Sequence, residues 1–233
     1  MRSLLLVLAA VVAVAATAAL PTAPSAGEGE LDPRVAPPVA AAEPPAEPAT
    51  RAPRRPPAIR WRQSIAVGTP DAGRLVRGVR LPAFGTGFVS WDANRLRSPN
   101  RAWRRWGTNR LVRLLVTVAR DFRAAHPGAR PLLIGDLSRP HGGDFGRQYG
   151  SVWHVSHQNG LDADIYFPRE DRARQAARTA ADIDRRLSQD LVDRLVRAGA
   201  TKVFVGPGTG LTGPPGVVQV IPGHDDHVHV RIL

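Results

Sequence analysis

Five of the seven histidines in this chain of 233 residues fall in two short clusters, His154 with His157, and His224 with His227 and His229, while His126 and His141 stand apart. Histidines kept for packing do not group in this way. The chain has no cysteine, which excludes disulfides and thiolate metal sites, so a metal would have to be held by imidazole and carboxylate. A hydrolytic zinc centre takes three protein ligands and leaves one position open, where a water has its pKa drawn down to about 7. Two nitrogens and one carboxylate suit such a centre. His157 and Asp164 are separated by a turn at Gly160, which brings a loop histidine and a strand carboxylate to one side of a sheet. His227 and His229 stand at i and i+2, and in extended chain they project side by side. Only one of them need bind. His229 completes the set, and the other imidazole is then held beside the reacting water, where it can move a proton or donate to an oxyanion.

Several alternatives are excluded by what is missing. No His-Glu-x-x-His helix is present, and no Gly-x-Ser-x-Gly elbow supports a serine hydrolase. Glu170 is the only glutamate after residue 60, and it follows the candidate ligand strand, so histidine is expected to serve as the general base, His227 before His224. Asp226 has a shorter reach and, if the strand already runs there, points away. Asp162 shares a face with Asp164 and is a candidate to orient a ligand histidine. Arg139 is a candidate to hold a substrate carboxylate or an oxyanion, and Trp153 and Tyr166 are candidates to line a groove.

The elements that must position these groups can be read from periodicity. Leu111, Leu114, Leu115, Val118 and Phe122 follow helical spacing, with Thr108 or Asn109 as cap and His126-Pro127-Gly128 as the stop. Pro131 to Gly135 is a short buried strand, followed by a Gly-rich loop to Gly150. Residues 162–167 alternate as a half-buried strand, with Asp162, Asp164 and Tyr166 on one face. Ser188 is expected to cap a helix carrying Leu191, Val192, Leu195 and Val196, closed by Gly199, with a strand at Thr201–Val205 after it. Gly206 to Gly216 reads as a flexible loop. The ending His227 to Ile232 alternates strictly, which sends Val228, Val230 and Ile232 into the core. Residues 61–100 suggest short strands and loops. The expected fold class is α+β, a small, mainly antiparallel sheet carrying the site and flanked by helices.

Three segments carry a family likeness: Gly135-Asp136-Leu137-Ser138-Arg139-Pro140, then His154 through Ile165, and His224-Asp225-Asp226-His227-Val228-His229-Val230-Arg231. Together they resemble the penicillin-insensitive murein endopeptidases, within the wider group of lysostaphin, D-Ala-D-Ala and hedgehog-type zinc domains. The resemblance implies His157, Asp164 and His229 as zinc ligands and His227 as the unliganded histidine beside the scissile carbonyl. It also implies His154 and His224 as further active-site histidines. The implied substrate is the peptide crosslink of peptidoglycan, opened without a serine nucleophile. The compared family carries cysteines and extends beyond the His-x-His strand; this chain has none and stops at Leu233. Two other outcomes fit the same motifs: a carboxypeptidase or dipeptidase trimming stem peptides, and a catalytically silent zinc domain that binds the wall.

The rest of the chain bears on location and partners. Leu4 to Leu20 is an apolar run without charge behind Met1-Arg2, so residues 1–20 read as a signal peptide or N-terminal anchor, which would export the protein to the periplasm or cell wall and could tether it to a membrane. Residues 21–60 hold half of the 22 prolines and no apolar periodicity, and read as a disordered linker before a metallopeptidase domain at 61–233. The net charge of +12 is almost wholly arginine, with Lys202 the one lysine. Such a charge attracts anionic polymers. Arg101, Arg104, Arg105, Arg110 and Arg113 are expected on scattered helical faces with no reading-head motif, and no nucleic acid partner is expected.

Overall fold

Thr108 begins the first helix by accepting a hydrogen bond from the Leu111 amide, and the apolar side chains at helical spacing that follow bury one face of α1 (Asn109–Ala125). In this computed structural model, which describes residues 55–146 and 155–233, that face packs with the second helix, α2 (Arg185–Arg197), against a seven-stranded sheet. The expected leader at 1–20 and the linker at 21–60 up to Arg54 lie outside the described residues, as do Trp153 and His154.

In chain order the remaining elements begin with β1 (Ile65–Gly68), β2 (Gly73–Val76), β3 (Val79–Arg80), β4 (Phe84–Gly85) and β5 (Phe88–Ser90). A 3₁₀ turn at Ala102–Arg104 and β6 (Trp106–Gly107) precede α1. β7 (Leu132–Ile134) and β8 (Asp162–Tyr166) lie between the helices, and β9 (Lys202–Val205), β10 (Val218–Val220) and β11 (His227–Arg231) follow α2. The large sheet has the order β10-β9-β11-β8-β7-β5-β4. The pairs β9–β11, β11–β8, β8–β7 and β5–β4 are antiparallel, and β10–β9 and β7–β5 are parallel. The fold is therefore α+β with a mainly antiparallel sheet. β1–β2 and β3–β6 form two separate antiparallel ribbons.

Alternation divides the large sheet into two faces. Ala163, Ile165, Val203, Val205, Val228 and Val230 are buried in the core with Leu111, Leu115, Phe122, Leu191 and Leu195 of the helices. The opposite face of the central strands carries Asp162, Asp164, Tyr166, His227, His229 and Arg231, the set expected from the period of two.

Three local expectations are corrected. The cap of α2 is Asp184, whose carboxylate accepts from the Leu187 amide, and Ser188 is instead fully buried inside the first turn. Asp caps at least as well as Ser, and starting the helix earlier adds Leu187 to the packed face. The segment Gly206–Gly216 is fastened: Arg185 donates to the carbonyls of Gly208 and Thr209, the Gly208 amide donates to Asp225, and Leu211 is buried. Arg104 and Arg105, expected on helical faces, lie in and just after the 3₁₀ turn Ala102–Arg104. Both are buried, Arg104 against Asp136 and Arg105 against the carbonyls of Leu81 and Asn100. Strand β10 was not signalled by the sequence, because its three residues have no resolvable period.

Candidate metal centre

Register places the central carboxylate. Asp164 on β8 pairs with His229 on β11, and His229 pairs with Phe204 on β9, so the first two share a face at adjacent positions. The Asp164 backbone is fixed on its other side, its amide donating to Asp136 O (2.9 Å) and its carbonyl accepting from Gly135 N (2.8 Å).

His157 arrives from a loop, and several contacts hold that loop in place. The Gln158 amide donates to Pro70 O, the Gln158 carbonyl accepts from Gly143 N, and the buried Asn159 side chain donates to Gly68 O. The turn between β1 and β2 thus clamps the segment. His157 adopts φ +72°, a left-handed conformation that costs a non-glycine residue energy and here turns its ring toward β8. Gly160 follows at φ +76°, and a Cβ there would come within 2.9 Å of Leu75, so the turn expected at this glycine also needs its small size.

The result is a buried cluster in which one ligand atom from each of His157, Asp164 and His229 lies within 4.8 Å of the others. Asp164 Oδ1 is 3.4 Å from His157 Nε2 and 3.1 Å from His229 Nδ1. Ligands at about 2.0–2.1 Å in a tetrahedral shell stand roughly 3.3–3.4 Å from one another, so these separations fit one small divalent cation. His229 Nε2 donates to Asp162 Oδ1 (3.0 Å), and this bond leaves Nδ1 facing Asp164. Asp162, fully buried, also accepts from Arg231 Nε at 2.6 Å. A carboxylate behind a histidine is the usual support for a metal ligand, since it fixes ring and tautomer together. The donor set suits a cation of intermediate hardness, zinc among several.

Electrostatics follow from the packing. Burial works against charge on Asp164, yet the neighbouring His157 and the bonds from His157 and His229 hold its carboxyl well below the ordinary range. Burial likewise opposes charge on His229, but its bonds to Asp162 and Asp164 lift the imidazole to about 9. Burial raises the Tyr166 hydroxyl well above its usual value, with Asp164 adding to the effect.

Two further histidines border the cluster. His227 Nε2 is 3.9 Å from Asp164 Oδ1, and its Nδ1 donates to Asp226 Oδ1 at 2.6 Å. Burial opposes protonation of His227, and the Asp226 bond overcomes it, raising its pKa. The His224 ring lies 5.0 Å from the His227 ring and 5.9 Å from that of His229, with Nδ1 3.2 Å from Pro222 O. Burial, then repulsion from His227, lowers the His224 pKa. His157, Asp164, His229, His227 and His224 thus come together; His154 lies outside the described residues. Arg139 donates to Asp144 O within its own loop, and Tyr166 packs 5.6 Å from the His227 ring, between centroids.

Sequence reasoning missed the role of Asp226. β11 begins only at His227, so Asp226 is free of strand alternation and its carboxylate reaches the imidazole next to it. It also missed the buried ion pair of Arg104 with Asp136, supported by Asn100, which holds the end of β7 beside Asp164. An aspartate that follows Leu-Leu-Ile-Gly at a strand end is the one signal that could have pointed to it.

Comparison with known proteins gives two findings. The family profile of penicillin-insensitive murein endopeptidases matches residues 66–204. That span includes His157 and Asp164, and His224, His227 and His229 follow it. The penicillin-insensitive murein endopeptidase of Haemophilus influenzae is 26% identical over 192 residues, covering 71% of this chain and 62% of that protein. The chain therefore spans less than two thirds of that relative's length.

Proposed function

The chain belongs to the penicillin-insensitive murein endopeptidase family, and on that basis we propose that it hydrolyses peptide crosslinks of bacterial peptidoglycan with zinc held by His157, Asp164 and His229. What carries the reading is the join of three ligand atoms within 4.8 Å to two further imidazoles, those of His227 and His224, at the border of the cluster. A purely structural zinc site would use a fourth protein ligand and would need no neighbouring imidazoles.

A cation held by His157, Asp164 and His229 would supply Lewis acidity for the scissile carbonyl and for a water nucleophile at neutral pH. The chain's own groups do the rest. Asp162 fixes His229, and Arg231 fixes Asp162, so the ligand ring cannot rotate away. Asp226 holds Nδ1 of His227, which directs Nε2 toward the cluster, where it can accept a proton from the nucleophile and return it to the leaving amine. His224 donates Nδ1–H to the Pro222 carbonyl, which leaves Nε2 as the second proton acceptor. We assign His154 to the same group on the family likeness alone. Export through residues 1–20 to the periplasm or cell wall, a linker at 21–60 and a catalytic domain at 61–233 complete the proposal.

The test is digestion of purified crosslinked muropeptides, read by mass spectrometry, with chelator and with zinc restored. Uncrosslinked monomers are expected only when metal is present. A His227→Ala variant should keep its metal and lose roughly 10²–10⁴-fold in rate, the usual worth of one proton-transfer group. Crosslinks left intact by the zinc-loaded protein would sink the proposal.

A further inference from the structure

Arg172, Arg174 and Arg186 have no acidic partner for their guanidinium groups among the described residues, and all three line a single cavity of about 480 Å³. Arg169 lines the same cavity, but its guanidinium is held by Asp171 and Asp182, which leaves those three to meet a ligand there. Asp184 also lines the cavity, but its carboxylate is occupied in capping α2. Against that one carboxylate the three guanidinium groups leave the lining net positive.

The floor of this cavity leads to the metal centre. His227 pairs with Tyr166, Tyr166 with Leu133, and Leu133 with Val89, which puts four side chains on one rung and one face of the sheet. Tyr166, Leu133 and Val89 line the cavity, and none of the three is fully buried. With strands about 4.8 Å apart, Leu133 and Val89 lie roughly 10 and 14 Å from His227. An extended peptide covers that distance in roughly three to four residues.

We propose that this cavity is a subsite for carboxylate groups of the peptide being cut, with Val89, Leu133 and Tyr166 as an apolar floor and Arg172, Arg174 and Arg186 as the anion-binding rim. Guanidinium groups recognise carboxylates in a planar, two-pronged geometry, and the volume suits one small ligand group. The rung fixes the occupant as another part of the same substrate, because a chain bound beside His227 runs directly over Tyr166 into the cavity. The proposal rests on the peptidase reading above and adds to it a requirement for acidic stem peptides.

The experiment compares the zinc-loaded wild type with the triple variant Arg172→Gln, Arg174→Gln, Arg186→Gln. Both are given two crosslinked muropeptide substrates, one with free stem carboxylates and one with the same carboxylates amidated. KM for the free-carboxylate substrate is expected to rise about tenfold in the variant with kcat kept, while the two proteins treat the amidated substrate alike. Equal KM values for wild type and variant on the free-carboxylate substrate, or equal losses on both substrates, would overturn it. Calorimetric binding of the uncrosslinked acidic stem peptide gives a readout independent of hydrolysis. Arginine-dependent binding without cleavage supports the subsite and overturns the peptidase, and cleavage with arginine-independent binding does the reverse.

Discussion

Asp162 makes no contact with the proposed cation, yet it determines what His229 can do. Its Oδ1 accepts from His229 Nε2 and from Arg231 Nε, so one buried oxygen fixes the tautomer that turns Nδ1 toward Asp164. Asp162→Asn keeps the shape but weakens that fixation, and its amide could swing a donor toward the ring. Zinc affinity should fall about 10–100-fold while the fold persists, measured by competition with a chromophoric chelator. The same carboxylates set the pH behaviour. Because Asp162 and Asp164 lift His229 to about 9, a cation taking Nδ1 must displace a proton, and zinc affinity should climb as pH rises from 6 to 9. The sign for stability is opposite when a chelator is present. A histidine raised above its ordinary value of 6.5 stabilises the fold fully below 6.5 and ceases to do so as pH rises through about 9. Chelated protein should thus melt lower at pH 9.5 than at pH 6.5, with the zinc-loaded protein spared that loss. A flat zinc affinity across this window would remove His229 from the ligand set.

At the scale of elements, the site depends on a connection that periodicity does not reveal. The end of β7 is held by Asp136, which receives Arg104 Nε at 2.6 Å and Asn100 Nδ2 at 2.9 Å, and the Asp136 carbonyl in turn accepts the Asp164 amide. Burial works against the charge on Arg104, but its bonds to Asp136 outweigh that and raise its pKa. Arg104→Ala takes a buried cation away from the Asp136 carboxylate, and the expected cost is about 3–5 kcal/mol, read from the urea unfolding midpoint. Because the lost pair lies behind Asp164, zinc affinity should fall as well. Local pattern revealed much of the architecture: α1 with its Thr108 cap, the alternation of β8 and β11, and the histidines and aspartates on their shared face. What local pattern lacks is pairing between distant segments. That β11 inserts between β8 and β9, and that the β1–β2 turn clamps Asn159, depend on contacts between segments about 25 to 91 residues apart in the chain. Nothing in the local sequence sets Arg104 apart from the exposed arginines, and only the position of Asp136 in space makes it a core residue.

For the molecule as a whole, the question is where the folded unit begins. Composition places the change from linker to domain at residue 61, since the prolines thin out there and apolar pairs begin. The packing extends a little further toward the N-terminus. Ile59 is partly buried against the main core, and with Pro56 and Pro57 it borders a cavity of about 240 Å³ shared with Phe84, Phe88 and Val116. Trp61 follows, stacked 4.5 Å beneath the Arg113 guanidinium of α1. These contacts attach the end of the linker to the outer side of α1 and β5, away from the metal ligands. Partial burial of one isoleucine contributes about 1 kcal/mol. A fragment covering residues 55–233 should therefore unfold at a higher urea concentration than one covering 61–233, with equal zinc affinity because neither cut reaches the clamp around His157. Equal midpoints would put the start of the cooperative unit after Ile59. A loss of zinc affinity on removing residues 55–60 would instead mean that the linker end supports the site, and α1, which carries both Arg113 and the Thr108 cap that bonds to Gly160, would be the route.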